Sequence, residues 1–338
     1  MKNSTDDTLK IFIAGGTGMV GSAIIRNLRM NENKNKFRRA LILSPKRSEL
    51  DLTDFASVRS WFKENRPNIV IIAAARVGGI YANQSMPFDF ILENIKIQTN
   101  IIEISWLFNV KTLIFLGSSC IYPKFAPQPI KEEYLLTDTL ETTNEFYALA
   151  KISGIKLCQA LKKQHNFNSI CLMPTNLYGP GDNYNLKNSH VIPALIRKFY
   201  DATENNLDQV ECWGSGSPFR EFLYVDDLAE ACIFILEKWN NSDFKKIDSK
   251  GEEIHLLNVG SPFETSIKDL TEIISREVGF KGEIVWDKNM PDGTPRKKLD
   301  TTKINDLGWK ANTNLEKGIK LTLKHFKNEI LNSRLRDF

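Results

Sequence analysis

Tyr147 and Lys151 lie four residues apart in the run Tyr147-Ala148-Leu149-Ala150-Lys151. On a helix that spacing sets both side chains on one face. An ammonium beside a phenol favours the phenolate and lowers its pKa, which suits proton transfer near neutrality. An exposed helical surface presents the same pair without any chemistry. A second group sharpens the reading: Gly117-Ser118-Ser119-Cys120 follows the apolar run 111–116. Ligands of doubly wound sheets bind at the carboxyl ends of strands, and a hydroxyl there can hold a substrate carbonyl against the tyrosine.

A glycine turn supplies the other half of a redox site. Ala14-Gly15-Gly16-Thr17-Gly18-Met19-Val20-Gly21 stands between an apolar strand pattern at 10–14 and helical spacing at 18–30. Gly15, Gly18 and Gly21 form GxxGxxG, the pattern of a tight turn stripped of Cβ atoms so that a pyrophosphate can approach. The helix that follows offers free N–H groups and partial positive charge to the phosphates. A glycine-rich turn without a ligand is the bland alternative, and the strand before and helix after favour a dinucleotide. The second strand, 40–43, runs into Ser44-Pro45-Lys46-Arg47. The acid that would bind a ribose 2′-hydroxyl is missing, and cations suit a 2′-phosphate. NADPH is therefore predicted over NADH, although Lys46 and Arg47 also fit a solvated surface pair. Asp51 and Leu52 are placed to reach the adenine edge, or Asp51 to cap the next helix.

The elements that must position these groups alternate along the chain. Strands are predicted at 10–14, 40–43, 68–75, 111–116 and 169–173, and helices at 18–30, 54–65, 88–108 and 144–164. The strands are apolar on both faces, which means burial on both sides. The expected fold is α/β, a doubly wound, Rossmann-like parallel sheet. After Pro174 the pattern loosens. A loop is expected at 178–189, strands at 210–213 and 221–224, and a helix at 226–239 capped by Asp226. Further elements are expected at 255–259, 266–278, 283–285 and 314–326, and nothing is assigned to 190–209. A dinucleotide-binding domain is drawn at 1–175 plus about 221–260, and a smaller substrate-binding region at about 176–220 plus 261–338.

Composition excludes several classes. With 338 residues, 42% hydrophobic and 25% charged, the chain reads as an ordinary globular protein. Lys+Arg 45 against Asp+Glu 41 leaves +4, spread along the chain, so no nucleic-acid partner is expected. Five widely spaced cysteines without CxxC suggest neither a disulfide framework nor a zinc site. The N-terminus is polar, and no apolar run reaches the roughly 18 residues of a membrane span. A cytoplasmic protein without a membrane partner is expected.

Together the glycine turn, the serine after the fourth strand and YxxxK resemble the extended short-chain dehydrogenase/reductase family. Blocks at 74–79, 116–123, 173–180, 188–195, 213–222 and 291–297 resemble the branch that acts on GDP-4-keto-6-deoxy-D-mannose. That likeness runs from about residue 10 to about residue 309. It implies epimerisation at C3 and C5 and NADPH-dependent reduction at C4, giving GDP-L-fucose. By the same resemblance Cys120 is the base and His190 the acid of the epimerisations. Tyr147 delivers a proton to O4, Ser118 holds the carbonyl oxygen, and Lys151 binds the nicotinamide ribose. The implied cofactor contacts are Gly15, Gly16, Thr17, Gly18, Met19, Val20 and Gly21, then Lys46, Arg47, Asp51, Leu52, Leu116, Gly117 and Ser119, with Tyr147, Lys151, Pro174, Thr175, Asn176, Leu177 and His190. Lys198, Trp213, Arg220 and Asp292 are the implied contacts to the nucleotide sugar.

Without the resemblance Cys120 and Trp213 would be read as core, and Lys198 and Asp292 as surface charge. Thr17 stands where some bacterial relatives carry arginine, which shifts the 2′-phosphate onto Lys46 and Arg47, with help from the basic segment 31–39. Relatives pair through two long helices, so a homodimer through 88–108 and 144–164 is implied. Two other readings share the motifs: an NAD-dependent nucleotide-sugar 4-epimerase or dehydratase, and a non-catalytic dehydrogenase-like binding module.

Overall fold

The computed structural model describes residues 8–30, 36–186, 188–290, 292–332 and 335. Most of the segment 31–39 flagged for its charge therefore lies outside the described residues. The first half reads β1 (Lys10–Ala14), α1 (Met19–Met30), β2 (Leu41–Leu43), α2 (Phe55–Asn65), β3 (Ile69–Ile72), α3 (Ile80–Ser85), α4 (Pro87–Leu107), β4 (Thr112–Leu116), α5 (Glu145–His165) and β5 (Ser169–Pro174). The second half continues with β6 (Asn176–Tyr178), α6 (Val191–Glu204), β7 (Gln209–Trp213), β8 (Phe219–Arg220), β9 (Phe222–Tyr224), α7 (Val225–Trp239) and β10 (Leu256–Val259). It ends with β11 (Thr265–Ser266), α8 (Ile267–Val278), β12 (Glu283–Asp287), β13 (Arg296–Lys297), α9 (Thr302–Asp306) and α10 (Leu315–Leu331).

Six strands form one parallel sheet in the order β10-β5-β4-β3-β1-β2. The strand order reverses between β1 and β3, the crevice in which such sheets hold a nucleotide. Alternate residues of one strand feed opposite cores: Ile11 and Ile13 join α1 and α7 on one face, Phe12 and Ala14 join α2 and α4 on the other. Period-two placement with apolar residues at every position explains the unbroken hydrophobic runs. A third core, with Tyr178, Ile192, Phe199, Leu270, Ile319 and Phe326, holds α6, α8 and α10 together away from the sheet. No helix among the described residues is long and apolar enough to cross a membrane.

Two expectations change. Asp226 does not cap α7. The helix starts at Val225, and the Asp226 carboxylate accepts from Arg26 Nε and Nη2 (3.0 and 2.5 Å). An acid in a first turn is favourable in any case, and here it also docks α1 on α7. The unassigned stretch 190–209 contains α6. Pro193 reads as a breaker, but it sits in the first turn, where a missing N–H costs nothing.

Candidate active site

The glycine turn closes with Gly18 N donating to Gly15 O (3.0 Å) and Ser22 N to Gly18 O (2.9 Å). Gly15 has φ +83°, and a Cβ there would stand 2.7 Å from Ala74 N and Cα. A Cβ on Gly21 would meet Gly16 Cα at 2.6 Å. The turn thus packs backbone against backbone, leaving a cradle that side chains would fill. The first turn of α1 carries no acid, and its amides have no intrahelical acceptor. This fits a dinucleotide pyrophosphate above Gly15–Gly21.

The other expected cofactor positions also follow the carboxyl ends of strands. Lys46 and Arg47 lie exposed after β2. Asp51 accepts from Thr53 N and Oγ1 (2.9 and 2.8 Å), bonds that hold its carboxyl below the usual range. The cap of α2 is Asp54 rather than Asp51. Leu52 packs against the core, and its carbonyl accepts from Asn100 Nδ2 (3.0 Å). Pro174 ends β5, Thr175 N donates to Val259 O (3.0 Å), and Asn176 Nδ2 donates to Glu221 O (3.0 Å). Leu177 pairs with Leu223 across β6 and β9.

Ser118, at the end of β4, accepts from Cys120 N (3.3 Å) and caps the short 3-10 turn Ser119–Ile121. Lys151, on α5, donates from Nζ to the Leu116 carbonyl (2.9 Å), and its ammonium lies 5.8 Å from the Tyr147 ring centroid. Phe90 meets the Tyr147 ring edge to face at 6.4 Å. Burial pulls Lys151 down to about 8, with Cys120 acting the other way. Burial also raises Tyr147 above its ordinary 10.0, and Cys120 adds to the rise. The expected lowering of the phenol by the ammonium is thus outweighed by desolvation, and the ammonium spends its hydrogen bond on Leu116.

His190 begins α6 and uses no side-chain cap bond. It is open to water on one side yet crowded by protein on the others, and the lost hydration pushes it below 6.5. Cys120 is raised above 9.0 by burial, against the pull of Lys297, a bond with Ser118 and Lys151. Burial thus favours the thiol form of Cys120 and the neutral form of the His190 imidazole. The segment before His190 is clasped by the chain after β3. Gly79 N donates to Asn188 O (2.9 Å), and Asn83 Nδ2 holds the carbonyls of Gly78 and Gly79 (2.9 and 3.0 Å).

Trp213 is 62% exposed, so it is not core. The Lys198 ammonium lies 5.6 Å from its ring centroid and donates to Glu211 O (3.1 Å). Asp292 accepts from Ser215 N (2.6 Å) and Ser215 Oγ (2.8 Å), bonds that hold its carboxyl down and fix the turn after Trp213. Arg220 is lowered by burial, with Asp292 opposing.

Two groups here escaped the sequence reading. Glu221 is fully buried and accepts from Ser261 N (2.6 Å) and Leu299 N (2.9 Å), while burial raises it to about 7. Lys297 is a cation whose charge opposes the rise that burial gives the Cys120 thiol. The signal for both was faint: each adjoins a charged residue that reads as surface.

Residues 11–247 match the NAD dependent epimerase/dehydratase family. The chain belongs to that family. Among members of the family, GDP-L-fucose synthase 1 of Arabidopsis thaliana is 48% identical over 332 residues, 98% of this chain and 97% of the relative. A solved GDP-mannoheptose C4 reductase from Campylobacter jejuni with NADP bound is 36% identical, with a TM-score of 0.82 over 95% of this chain and 98% of that one. A GDP-L-fucose synthetase from Naegleria fowleri bound to NADP is 27% identical, with a TM-score of 0.83 over 96% of each chain. In this epimerase/dehydratase chain the glycine cradle follows β1 and Ser118 follows β4, while Tyr147 and Lys151 lie in the first two turns of α5.

Proposed function

We propose that the chain is an NADPH-dependent epimerase and reductase that converts GDP-4-keto-6-deoxy-D-mannose into GDP-L-fucose. His190 joins the site by resemblance, and the observation that carries the reading is a buried thiol, Cys120, in the turn packed against α5, the helix that bears a phenol and a lysine, Tyr147 and Lys151. A plain C4 reductase or a 4-epimerase needs only the last two. The protons at C3 and C5 flank the C4 ketone and are acidified by it. Cys120 takes each proton as thiolate, and His190 returns one from the other face. Ser118 orients the C4 oxygen and Tyr147 protonates it. When bound, the reduced nicotinamide supplies a hydride to C4. Lys151 holds the ribose and anchors α5 to the end of β4.

The nucleotide is held by Lys198, Trp213 and Arg220. A fork of guanidinium donors suits a diphosphate, and the Trp213 face, exposed beside Lys198, suits a flat base. Asp292 acts by fixing the turn that presents Trp213. Lys46 and Arg47 take the 2′-phosphate in place of the arginine absent at Thr17. The division into a dinucleotide domain and a smaller sugar-nucleotide region draws support from the third core, which gathers α6, α8 and α10, and from β10 in the large sheet, although Leu299, Ile304 and Trp309 pack into the sheet's cores and Phe222 and Tyr224 into the third. The exposed Phe88 and Leu107 on α4, with Phe146 and Leu149 on α5, support a homodimer through these helices.

Two variants test the roles. Tyr147→Phe keeps solvent deuterium exchange at C3 and C5 and loses reduction. Cys120→Ser keeps NADPH binding and loses the exchange. Loss of both activities in Tyr147→Phe, or unchanged exchange in Cys120→Ser, contradicts the assignment.

A further inference from the structure

β8 is the middle strand of a small sheet, β11-β8-β13, with two residues in each strand. Arg220 pairs there with Thr265 on one side and Lys297 on the other. Strands that short gain little from their own ladder. The next residue, Glu221, anchors them, and it is fully buried. Its two carboxylate oxygens divide between the flanking chains. Oε1 accepts from Ser261 N (2.6 Å), on the chain leading from β10 into β11. Oε2 accepts from Leu299 N (2.9 Å), on the chain leaving β13. The Glu221 carbonyl accepts from Thr175 Oγ1 (3.3 Å) and Asn176 Nδ2 (3.0 Å), just past β5.

These partners belong to the large sheet or to its margin. Thr175 N donates to Val259 O (3.0 Å), which joins the ends of β5 and β10. Leu299 is buried in the core beneath the sheet and bridges to Ile130. Glu221 thus ties the strand that carries Arg220 to the carboxyl end of the large sheet. Burying a carboxylate is costly, and Glu221 makes no ion pair among the described residues. Two amide donors call for two acceptor oxygens, which a carboxylate has and an amide side chain lacks. The chain also makes room for the acid, since a Cβ on Gly260 would collide with Oε1.

We propose that Glu221 is a positioning residue for the sugar nucleotide: its carboxylate holds β8 so that the Arg220 guanidinium meets the diphosphate. This rests on the reading of Arg220 as a diphosphate contact. Arg220 Nη1 already donates to Phe219 O (2.8 Å), so the guanidinium is folded back along its own strand and moves with it. A shift of β8 therefore becomes a shift of the donor fork.

The test measures GDP binding to the full-length protein by titration calorimetry, beside NADPH binding and thermal melts. Glu221→Gln should weaken GDP about tenfold, the effect of losing a hydrogen bond to a charged group. NADPH affinity should stay within about twofold, because the Glu221 carbonyl still receives Thr175 and Asn176. Arg220→Met should weaken GDP at least as much. Adding Glu221→Gln to Arg220→Met should then cost no more than about twofold further, the non-additivity of residues acting through one contact. A role in folding alone would leave the two losses additive. Unchanged GDP affinity in Glu221→Gln, or additive losses in the double variant, overturns the proposal. Should Glu221→Gln not fold, Gly260→Ala keeps the acid but displaces it, and the same readings decide. A wild-type protein that does not bind GDP would instead overturn the reading of the whole site, and this role with it.

Discussion

Lys151 Nζ donates to the carbonyl of Leu116 at 2.9 Å, so the cation of α5 is bonded to the strand end that delivers Ser118 and Cys120. One bond thus sets the phenol-bearing helix against the thiol-bearing turn. It also leaves a buried cation without a carboxylate. A lysine whose pKa falls from 10.5 to about 8 on folding contributes stability above 10.5 that is lost as pH drops through 8, roughly 3 kcal/mol by linkage. Removing the bond to Leu116 costs about 1–3 kcal/mol. Lys151→Met should therefore keep or raise Tm at pH 7 while reduction falls by orders of magnitude. Thermal melts beside NADPH oxidation check this, and a large fall in Tm contradicts it.

The two half-reactions should separate by pH. Exchange at C3 and C5 needs one proton shared between Cys120 and His190. Its acid limb lies below 6.5, where burial has pushed His190, and its alkaline limb above 9.0, where burial has pushed Cys120. Reduction also needs the Lys151 ammonium, which is lost as pH rises through about 8. Deuterium exchange should persist at pH 8.5–9 while NADPH oxidation declines. Coincident alkaline limbs count against separate roles.

Gly79 should matter to epimerisation although it carries no reactive atom. A Cβ there would stand 2.9 Å from Ser189 O. Gly79→Ala should displace the chain before His190, lowering C3 and C5 exchange about tenfold or more. NADPH affinity, carried chiefly by the glycine cradle at Gly15–Gly21, should hold. Equal loss of both would mean a general folding defect.

Lys46→Ala with Arg47→Ala should raise the KM for NADPH about 10- to 100-fold and leave that for NADH nearly unchanged. Both side chains are exposed, so Tm should move little, and the NADPH preference should weaken with salt. A variant that still prefers NADPH would place the 2′-phosphate elsewhere.

The sheet was legible because strands buried on both faces carry apolar residues at every position, as in Ile69–Ile72. The glycine turn was legible because Gly15 and Gly21 stand where backbone must touch backbone. Cys120 and His190 were paired only by resemblance, since they sit on distant segments that the Gly79 clasp and the β4 turn position separately. Helix α6 was hidden by Pro193 in its first turn. Lys297 was hidden by Arg296 and Lys298, because a run of three cations reads as solvated, and only pairing with β8 turns the middle one inward. Asp226 misled because its acid serves Arg26 instead of its own helix.

The proposed chemistry is double inversion and reduction at one site. The most direct measurement incubates the protein with GDP-4-keto-6-deoxy-D-mannose and NADPH in D2O and reads the product by NMR. The expected product is GDP-L-fucose with deuterium at both C3 and C5 and one NADPH consumed per product. A GDP-6-deoxyhexose that keeps the manno configuration at C3 and protium at C3 and C5 would contradict it and leave a C4 reductase.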